Sequence, residues 1–502
     1  MAIPNADPTL HNADLAPTAP AQRTWSARDF AALWIGMAAC VPTYMLAGGL
    51  VDLGMSWWQA VLTVALGNVI VLAPMILTAD AGTRYGIPFP VLARASFGVI
   101  GANTPSLLRG LVACGWFGIQ TWIGGSAIYH LLRALGGRDP NAAAGADLPL
   151  LGITLGELAC FLLFWAIQVV VLWRGIESIK VLEVWAAPFL IAMALLLLIW
   201  AWTKAGGLGP MLQAPSQFGP DGAKEGQFLR VFFPALTGMV GFWATLSLNI
   251  PDFTRYARSQ RDQVLGQAFG LPTFMTLFAF LGVAVTSATV VIFGEAVPDP
   301  TALLGRLGGG FGVVLALLAL SIATLSTNVA ANVVSPANAV VNLAPRRFTF
   351  RHGAMLTAAL GIAIFPWKLI ETSEGYIFTW LVGYSALLGP IGGIVIADYW
   401  LLRRRVLEVD DLYRRGGAYE YVRGTNHVAL LALGMGIALC VPGFLAAAGI
   451  VGAAEVPAFW QAVYTYSWFV GFGVGGGMYW ALMRALGSDR GGRPSTLVAG
   501  GP

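Results

Sequence analysis

Charged residues are scarce in this sequence. Asp, Glu, Lys and Arg make up 11% of its 502 residues, whereas 57% are hydrophobic. Because a typical soluble domain carries about 25% charged residues, this composition excludes an ordinary soluble protein and predicts an integral membrane protein held in a lipid bilayer. The formal net charge of +4 comes from basic residues spread over short segments. It therefore does not indicate a nucleic-acid partner.

Cysteine and histidine are also rare, with four of each. The cysteines all fall within apolar runs and lack metal-ligand spacing, so we interpret them as small buried residues. The histidines fall in tails or at helix ends, and we find no nucleophile elbow, phosphate loop or His/Cys/carboxylate cluster. Acidic residues also fall near helix ends, whereas a membrane enzyme or proton pump needs ionisable groups near the bilayer centre. We therefore predict that the protein is not an enzyme.

Twelve apolar runs have the length of about 20 residues that crossing a bilayer requires. They lie at 30–53, 58–79, 104–134, 150–174, 179–203, 229–250, 266–293, 311–340, 353–370, 374–401, 428–450 and 458–486. The joints between them are too short for a second soluble domain. The polar ends predict two cytoplasmic tails, 1–27 and 487–502, with residues 1–25 and 487–502 disordered.

The basic residues predict the orientation of these runs, because Lys and Arg favour the cytoplasmic side. If the N-terminus is cytoplasmic, few of the 29 Lys and Arg residues lie outside. Those outside are Arg133, Arg138, Lys204, Lys224, Arg230, Arg306 and Lys368. We therefore expect a multi-pass protein of the cell (inner) membrane with both termini cytoplasmic.

Two runs carry residues that interrupt helices. The first contains Pro42 near its centre, and the sixth contains Gly238 and Gly241 before Pro251. Unpaired backbone at membrane depth is tolerated only where it lines a cavity or binds something. Runs one and six are also where two inverted five-helix repeats place their matching broken helices, as in LeuT-type carriers. The alternative is that Pro and Gly are simply common in membrane helices.

Aromatic and amide side chains stand out in the third and sixth runs. Trp116 and Gln120 are four residues apart and share a helix face. Trp243 follows Gly241 and Phe242 near the presumed break. An indole offers a stacking surface and an amide offers a donor beside an acceptor, which suits a flat heterocycle with an N–H/C=O edge. The alternative is a core Trp and an interhelical Gln hydrogen bond.

The eighth run is unusually polar. Asn328 and Asn332 form another pair four residues apart, preceded by the hydroxyls of Ser326 and Thr327. Buried amides are costly unless satisfied, and neutral oxygens of this kind can dehydrate Na⁺. The alternative is that the hydroxyls bond back to their own helix. Free carbonyls near Ala38 and Val41, at the break in run one, would complete a Na⁺ shell together with the Ala323 carbonyl of the eighth run.

Five segments carry a resemblance to a known family. They are 80–90 (DAGTRYGIPFP), 93–98 (ARASFG), 115–125 (GWFGIQTWIGG), 241–256 (GFWATLSLNIPDFTRY) and 326–338 (STNVAANVVSPAN). In these, and over about residues 23–484, the chain resembles the nucleobase–cation symporters, which include uracil, cytosine, purine, allantoin and hydantoin carriers. The resemblance implies an all-α membrane fold of LeuT type with helices one and six broken. Its implied parts are two inverted five-helix repeats, at 28–203 and 229–402, and two added helices at 428–486.

The resemblance also implies roles for particular residues. The substrate ring would lie between Trp116 and Trp243, with its polar edge at Gln120 and Asn332. Further candidate substrate contacts are Gly241, Phe242, Asn328 and Pro42, the last replacing a polar side chain of the hydantoin carrier. The implied sodium ligands are the carbonyls of Ala38, Val41 and Ala323 and the hydroxyls of Ser326 and Thr327.

Our hypothesis is a monomeric symporter that imports a small planar nucleobase-like solute, such as uracil, by alternating access. The coupling cation would be Na⁺, with H⁺ as the alternative. An allantoin or hydantoin carrier of the same fold stays open, as does an uncoupled facilitator. A receptor-like sensor on a carrier fold is a further alternative, which a measured flux would oppose.

Overall fold

The computed structural model describes residues 6–136, 147–174, 177–307 and 310–487. Most of this part of the chain is helical. A short antiparallel sheet joins β1 (Asp147–Leu148) to β2 (Ile153–Thr154) before the fourth membrane helix. The all-α architecture implied by the resemblance is therefore confirmed.

Each of the twelve predicted runs coincides with one helix or with two consecutive helices. In chain order these are α1 (Ala27–Ala38 and Val41–Asp52), α2 (Trp57–Tyr85), α3 (Asn103–Leu135), α4 (Leu155–Arg174), α5 (Glu177–Lys204), α6 (Phe228–Asn249), α7 (Gln260–Phe293), α8 (Phe311–Leu343), α9 (Phe350–Ala363), α10 (Gly375–Leu402), α11 (His427–Ala438 and Val441–Ala447) and α12 (Ala458–Thr465 and Ser467–Ala485).

Most of these helices are long and apolar enough to cross a bilayer. Within the described residues eight pass on length and composition, and the two halves of α1 pass together. Helix α9 is shorter than predicted, with 14 residues. At 1.5 Å per residue it spans roughly 21 Å of a bilayer core about 30 Å thick. It ends early because Phe365 takes a left-handed backbone (φ 52°) ahead of Pro366.

The break in α1 is confirmed. Its two halves meet at 59°. Between them Ala39 and Cys40 leave the helical conformation, with φ/ψ of −77°/73° and −139°/157°. Pro42 lies in the first turn of the second half, where its missing N–H costs no intrahelical bond.

The predicted break in α6 at Gly238 and Gly241 is wrong. Helix α6 runs without interruption from Phe228 to Asn249, and the chain restarts as a short helix at Pro251. The glycines serve close packing instead. A Cβ on Gly241 would collide with Ser385 Oγ and lie 2.9 Å from the Leu381 carbonyl, so glycine allows α6 to approach α10.

The N-terminal tail is not disordered over residues 6–23, contrary to the prediction from its composition. Leu10 is 5% exposed and Leu15 is fully buried. Arg255 donates to Thr18 Oγ1 at 2.7 Å and to backbone carbonyls of the tail, and the Tyr413 hydroxyl donates to the Leu15 carbonyl at 2.7 Å. Two buried leucines and these hydrogen bonds offset the entropy of ordering the segment. The C-terminal tail from residue 488 lies outside the described residues.

The joints between helices gather at two ends of the molecule, as the alternation of basic residues predicts. At one end Arg84 and Tyr85 donate to the Arg405 carbonyl, and Arg94 donates to the Leu412 carbonyl. The opposite end holds a vestibule. Its lining includes Asp52, Glu157, Glu295, Arg306 and Lys368. Which end faces the cytoplasm stays a prediction.

Candidate substrate and cation site

A small cavity lies where α1, α3, α6 and α8 meet. All the predicted substrate residues except Gly241 and Asn328 line it. Its lining comprises Met37, Cys40, Pro42, Trp116, Gln120, Phe242, Trp243, Thr245, Leu246, Thr327, Ala331 and Asn332. Its volume is about 30 Å³, which has room for about two water molecules by this measure. A heterocycle therefore requires its walls to move apart.

The aromatic part of the cavity is joined through Phe242. The ring of Phe242 meets Trp116 edge to face with 5.2 Å between centroids, and meets Trp243 in the same way at 5.0 Å. Trp243 also meets Trp34 edge to face, with 5.1 Å between centroids. Edge-to-face contacts at these distances are favourable for aromatic pairs. The two tryptophans therefore face one cavity, with the Phe242 ring in contact with both.

Two polar atoms at this cavity are buried without a hydrogen-bond partner among the described residues. They are the Gln120 Oε1 atom and the Trp243 Nε1 atom, and their side chains are 4% exposed. A buried polar group without a partner costs about 1–3 kcal/mol. One acceptor and one donor therefore await a polar ligand, which fits a ring edge carrying both N–H and C=O.

Asn328 lies behind the cavity, which corrects its predicted role as a substrate contact. It is fully buried and donates through Nδ2 to the Phe117 carbonyl at 3.0 Å and to Gln168 Oε1 at 2.7 Å. Its Oδ1 atom accepts from Asn332 Nδ2 at 2.9 Å. Asn328 therefore supports Asn332, the residue of the pair that reaches the cavity.

Gly241 does not line the cavity, and the position of its missing Cβ faces Ser385 and Leu381 of α10. Pro42 does line the cavity. Its carbonyl accepts from the Tyr376 hydroxyl at 3.3 Å. Pro42 thus offers the site a rigid ring and a turn of backbone instead of a polar side chain.

The predicted cation ligands fall into two groups: those that the structure describes, and two whose side chains it does not. Thr327 of α8 lines the same cavity as Met37, which precedes the break in α1, and Cys40, which lies in it. Ala38 and Val41 are buried at that break, and the Ala38 carbonyl accepts from the Cys40 amide at 2.9 Å. The side chains of Ala323 and Ser326 lie outside the described residues.

The donor set at this point consists of neutral oxygens. Within the described ranges, no three His, Cys, Asp or Glu side chains come close enough to hold a metal ion. A carbonyl at the end of a helix and a threonine hydroxyl are ligands that suit Na⁺ rather than a transition metal. The oxygens at the α1 break are therefore of a kind that can hold a hard cation.

Tyr376 separates the cavity from the vestibule, which has a volume of about 550 Å³. Its ring lies 6.1 Å from that of Trp116, edge to face, while the same side chain lines the vestibule. The N-terminal part of α10 that carries it, Gly375–Leu381, is a π-helix. Such turns are rare and occur often at functional sites.

Several residues around the cavity were not predicted. Met37, Cys40, Leu246 and Ala331 gave no signal, because apolar lining residues resemble core residues in sequence. Gln168 did offer one: an amide in the otherwise apolar run 150–174 is expensive in a membrane and signals a specific partner.

A broken first helix, a central cavity with amides and indoles, and at least eight apolar spans define a multi-pass membrane protein of carrier type. Residues 17–471 match a family model described as permease for cytosine/purines, uracil, thiamine, allantoin. The chain belongs to this family, which confirms the resemblance seen in its motifs.

Curated relatives and solved structures agree with this membership. The chain is 51% identical over 96% of its length to the purine-uracil permease NCS1 of Arabidopsis thaliana, covering 79% of that protein. It is 41% identical over 95% of its length to the allantoin permease of Bacillus subtilis, covering 93% of that protein. The inward-facing structure of Mhp1 superposes with a TM-score of 0.77 at 29% identity, covering 96% of this chain and 95% of that one. The LeuT-type fold is therefore confirmed.

Proposed function

We propose that the protein is a symporter that carries a small planar heterocycle with an N–H/C=O edge, coupled to a cation, by alternating access. The observation that carries the proposal is the shared cavity of two indoles, two amides and a helix break. Trp116 and Trp243 hold the ring faces, while Gln120 and Asn332 hold its edge. Phe242 moves aside to admit the ring, and Pro42 closes the cavity from α1.

Sodium is the cation we propose, bound where α8 passes the break in α1. Thr327 and the carbonyls of Ala38 and Val41 supply ligands, and Ala323 and Ser326 complete the set. Binding there ties the two halves of α1 to α8, so the ion favours the conformation that the substrate also stabilises. One chain supplies the whole site, which supports a monomer as the working unit. The basic residues support a cell-membrane protein with both termini cytoplasmic.

A nucleobase such as uracil is the substrate we place first, since the purine-uracil permease is the more similar of the two relatives. The allantoin permease relative and the hydantoin-bound Mhp1 structure favour a ureide ring as the second candidate. Both rings present the same kind of edge.

Uptake into proteoliposomes tests the proposal. Radiolabelled uracil, allantoin and hydantoin are compared under an inward Na⁺ gradient, an inward H⁺ gradient and neither. We expect uptake of one ring above its equilibrium level only with the Na⁺ gradient. Concentration by the H⁺ gradient alone refutes Na⁺ as the cation. Equal counterflow under all conditions identifies an uncoupled facilitator, and no flux of any ring refutes the carrier proposal.

A further inference from the structure

A chain of buried amides runs from α4 through α8 to the cavity. Gln168 and Asn328 are fully buried, and Thr121 is 1% exposed. Gln168 Nε2 donates to Thr121 Oγ1 at 2.9 Å, while Gln168 Oε1 accepts from Asn328 Nδ2 at 2.7 Å. Asn332 joins the other side of Asn328. The chain therefore links a residue of α4 to the cavity lining.

The Phe117 carbonyl and Gln168 together set the direction of the amides in this chain. The Phe117 carbonyl can only accept, and it receives the Thr121 hydroxyl at 2.6 Å and Asn328 Nδ2 at 3.0 Å. With its proton committed, the Thr121 oxygen accepts from Gln168. With its Nδ2 atom committed, Asn328 turns its oxygen toward Asn332. A flip of Asn328 would set its oxygen against the Phe117 carbonyl.

The consequence reaches the cavity. Asn332 gives one Nδ2 hydrogen to Asn328, so its Oδ1 atom and its second Nδ2 hydrogen are left for other partners, and the oxygen is the acceptor that it offers a ligand. The neighbouring Gln120 Oε1 atom is also buried without a partner among the described residues. The wall formed by α3 and α8 thus presents two acceptors.

We propose that Gln168 is a positioning residue: acting through Asn328, it holds the Asn332 oxygen toward the cavity, so that the site selects a ligand with an N–H at that point. This inference rests on the proposed function, since it assigns the polarity of the edge that the carrier reads. Methylation of the N–H facing Asn332 removes the donor, and the acceptor is then left unpaired.

The test is a competition assay in proteoliposomes with uracil, allantoin and hydantoin, each beside its mono-N-methyl derivatives. We expect wild type to bind one derivative at least about ten-fold more weakly than its parent. In Gln168→Met, binding of the parent ring should weaken while binding of that derivative stays unchanged. The loss of affinity caused by methylation therefore falls to about two-fold. Thr121→Val, which removes the hydroxyl from the same chain, should act in the same direction if Gln168→Met fails to reach the membrane.

Gln267→Met is the matched control, because Gln267 is a fully buried glutamine of α7 that bonds Gln263 at 2.6 Å and lies off the cavity. It should keep the wild-type penalty. A purely structural role for Gln168 would weaken parent and derivative alike. If wild type discriminates and neither chain variant changes the penalty, the positioning role is overturned while the proposed function stands. If wild type takes up none of the rings, the proposed function fails and this inference fails with it.

Discussion

The two walls of the cavity differ in how Asn332 and Trp243 are held. On the α3/α8 wall, Asn332 is anchored by hydrogen bonds that continue through Asn328 to α4. On the α1/α6 wall, the Trp243 N–H has no partner among the described residues, and α1 is bent by 59°. A preorganised wall loses little on binding, whereas an unanchored one can adjust. The comparison indicates that the α3/α8 wall recognises the polar edge of the ligand and that the α1/α6 wall closes on the ligand.

Removing the amide of Asn332 should have the largest effect on uptake. We expect Asn332→Ala to lower uptake by at least about 100-fold, because the ligand edge and Asn328 Oδ1 both lose a partner. Initial uptake rates, normalised to protein in the membrane, measure this. Asn338→Ala is the control, since Asn338 lies on the same helix at similar burial, away from the cavity lining. Wild-type transport by Asn332→Ala would contradict the assignment of the α3/α8 wall as the one that recognises the ligand.

The face of α6 that packs against α10 should be sensitive to the size of its side chains. Gly241→Val places carbon against Ser385 and Leu381, and overpacking of this kind costs about 1–3 kcal/mol of unfolding free energy. A lower Tm in detergent is the expected result. Gly477→Val, on α12 where nothing lies within 4 Å of a Cβ, should leave the Tm unchanged. Equal Tm values for both variants would mean that Gly241 is not a packing point.

The Trp243 indole of the α1/α6 wall should matter less for uptake than the Asn332 amide of the α3/α8 wall. Trp243→Phe keeps a ring but removes the N–H, so we expect KM to rise about ten-fold or less. Concentration-dependent uptake measures it, with Trp58→Phe as a control because Trp58 is 53% exposed. A loss as large as that of Asn332→Ala would erase the proposed difference between the walls.

The cation ligand should give the smallest change. Thr327→Ala removes one of several neutral oxygens, so the Na⁺ concentration for half-maximal uptake should rise a few-fold, while Thr327→Ser keeps the hydroxyl and the wild-type value. Uptake measured against Na⁺ concentration at fixed pH separates the two variants. Uptake that does not depend on Na⁺ and follows a pH gradient would contradict the proposed sodium site at the α1/α8 junction.

Helix positions were predictable from sequence because long apolar runs have few ways to satisfy their backbone in a bilayer. The break in α1 was also predictable, since Pro42 cannot continue the preceding helix. Gly241 was misleading because glycine permits either a break or a close contact, and only the approach of Ser385 decides between them. Asn328 and Asn332 show the same limit. Spacing puts them on one face, but which one reaches the cavity depends on Gln168 and Phe117 from other helices.

The ordered N-terminal segment has a practical consequence for handling this protein. Residues 10–18 are fastened to Arg255, Tyr413 and the Gly86 carbonyl. These anchor points follow α6, α10 and α2 along the chain, so the segment ties together elements that alternating access would have to displace. An affinity tag or fluorescent fusion for purification and trafficking studies therefore belongs beyond residue 487, with the native N-terminal segment left intact.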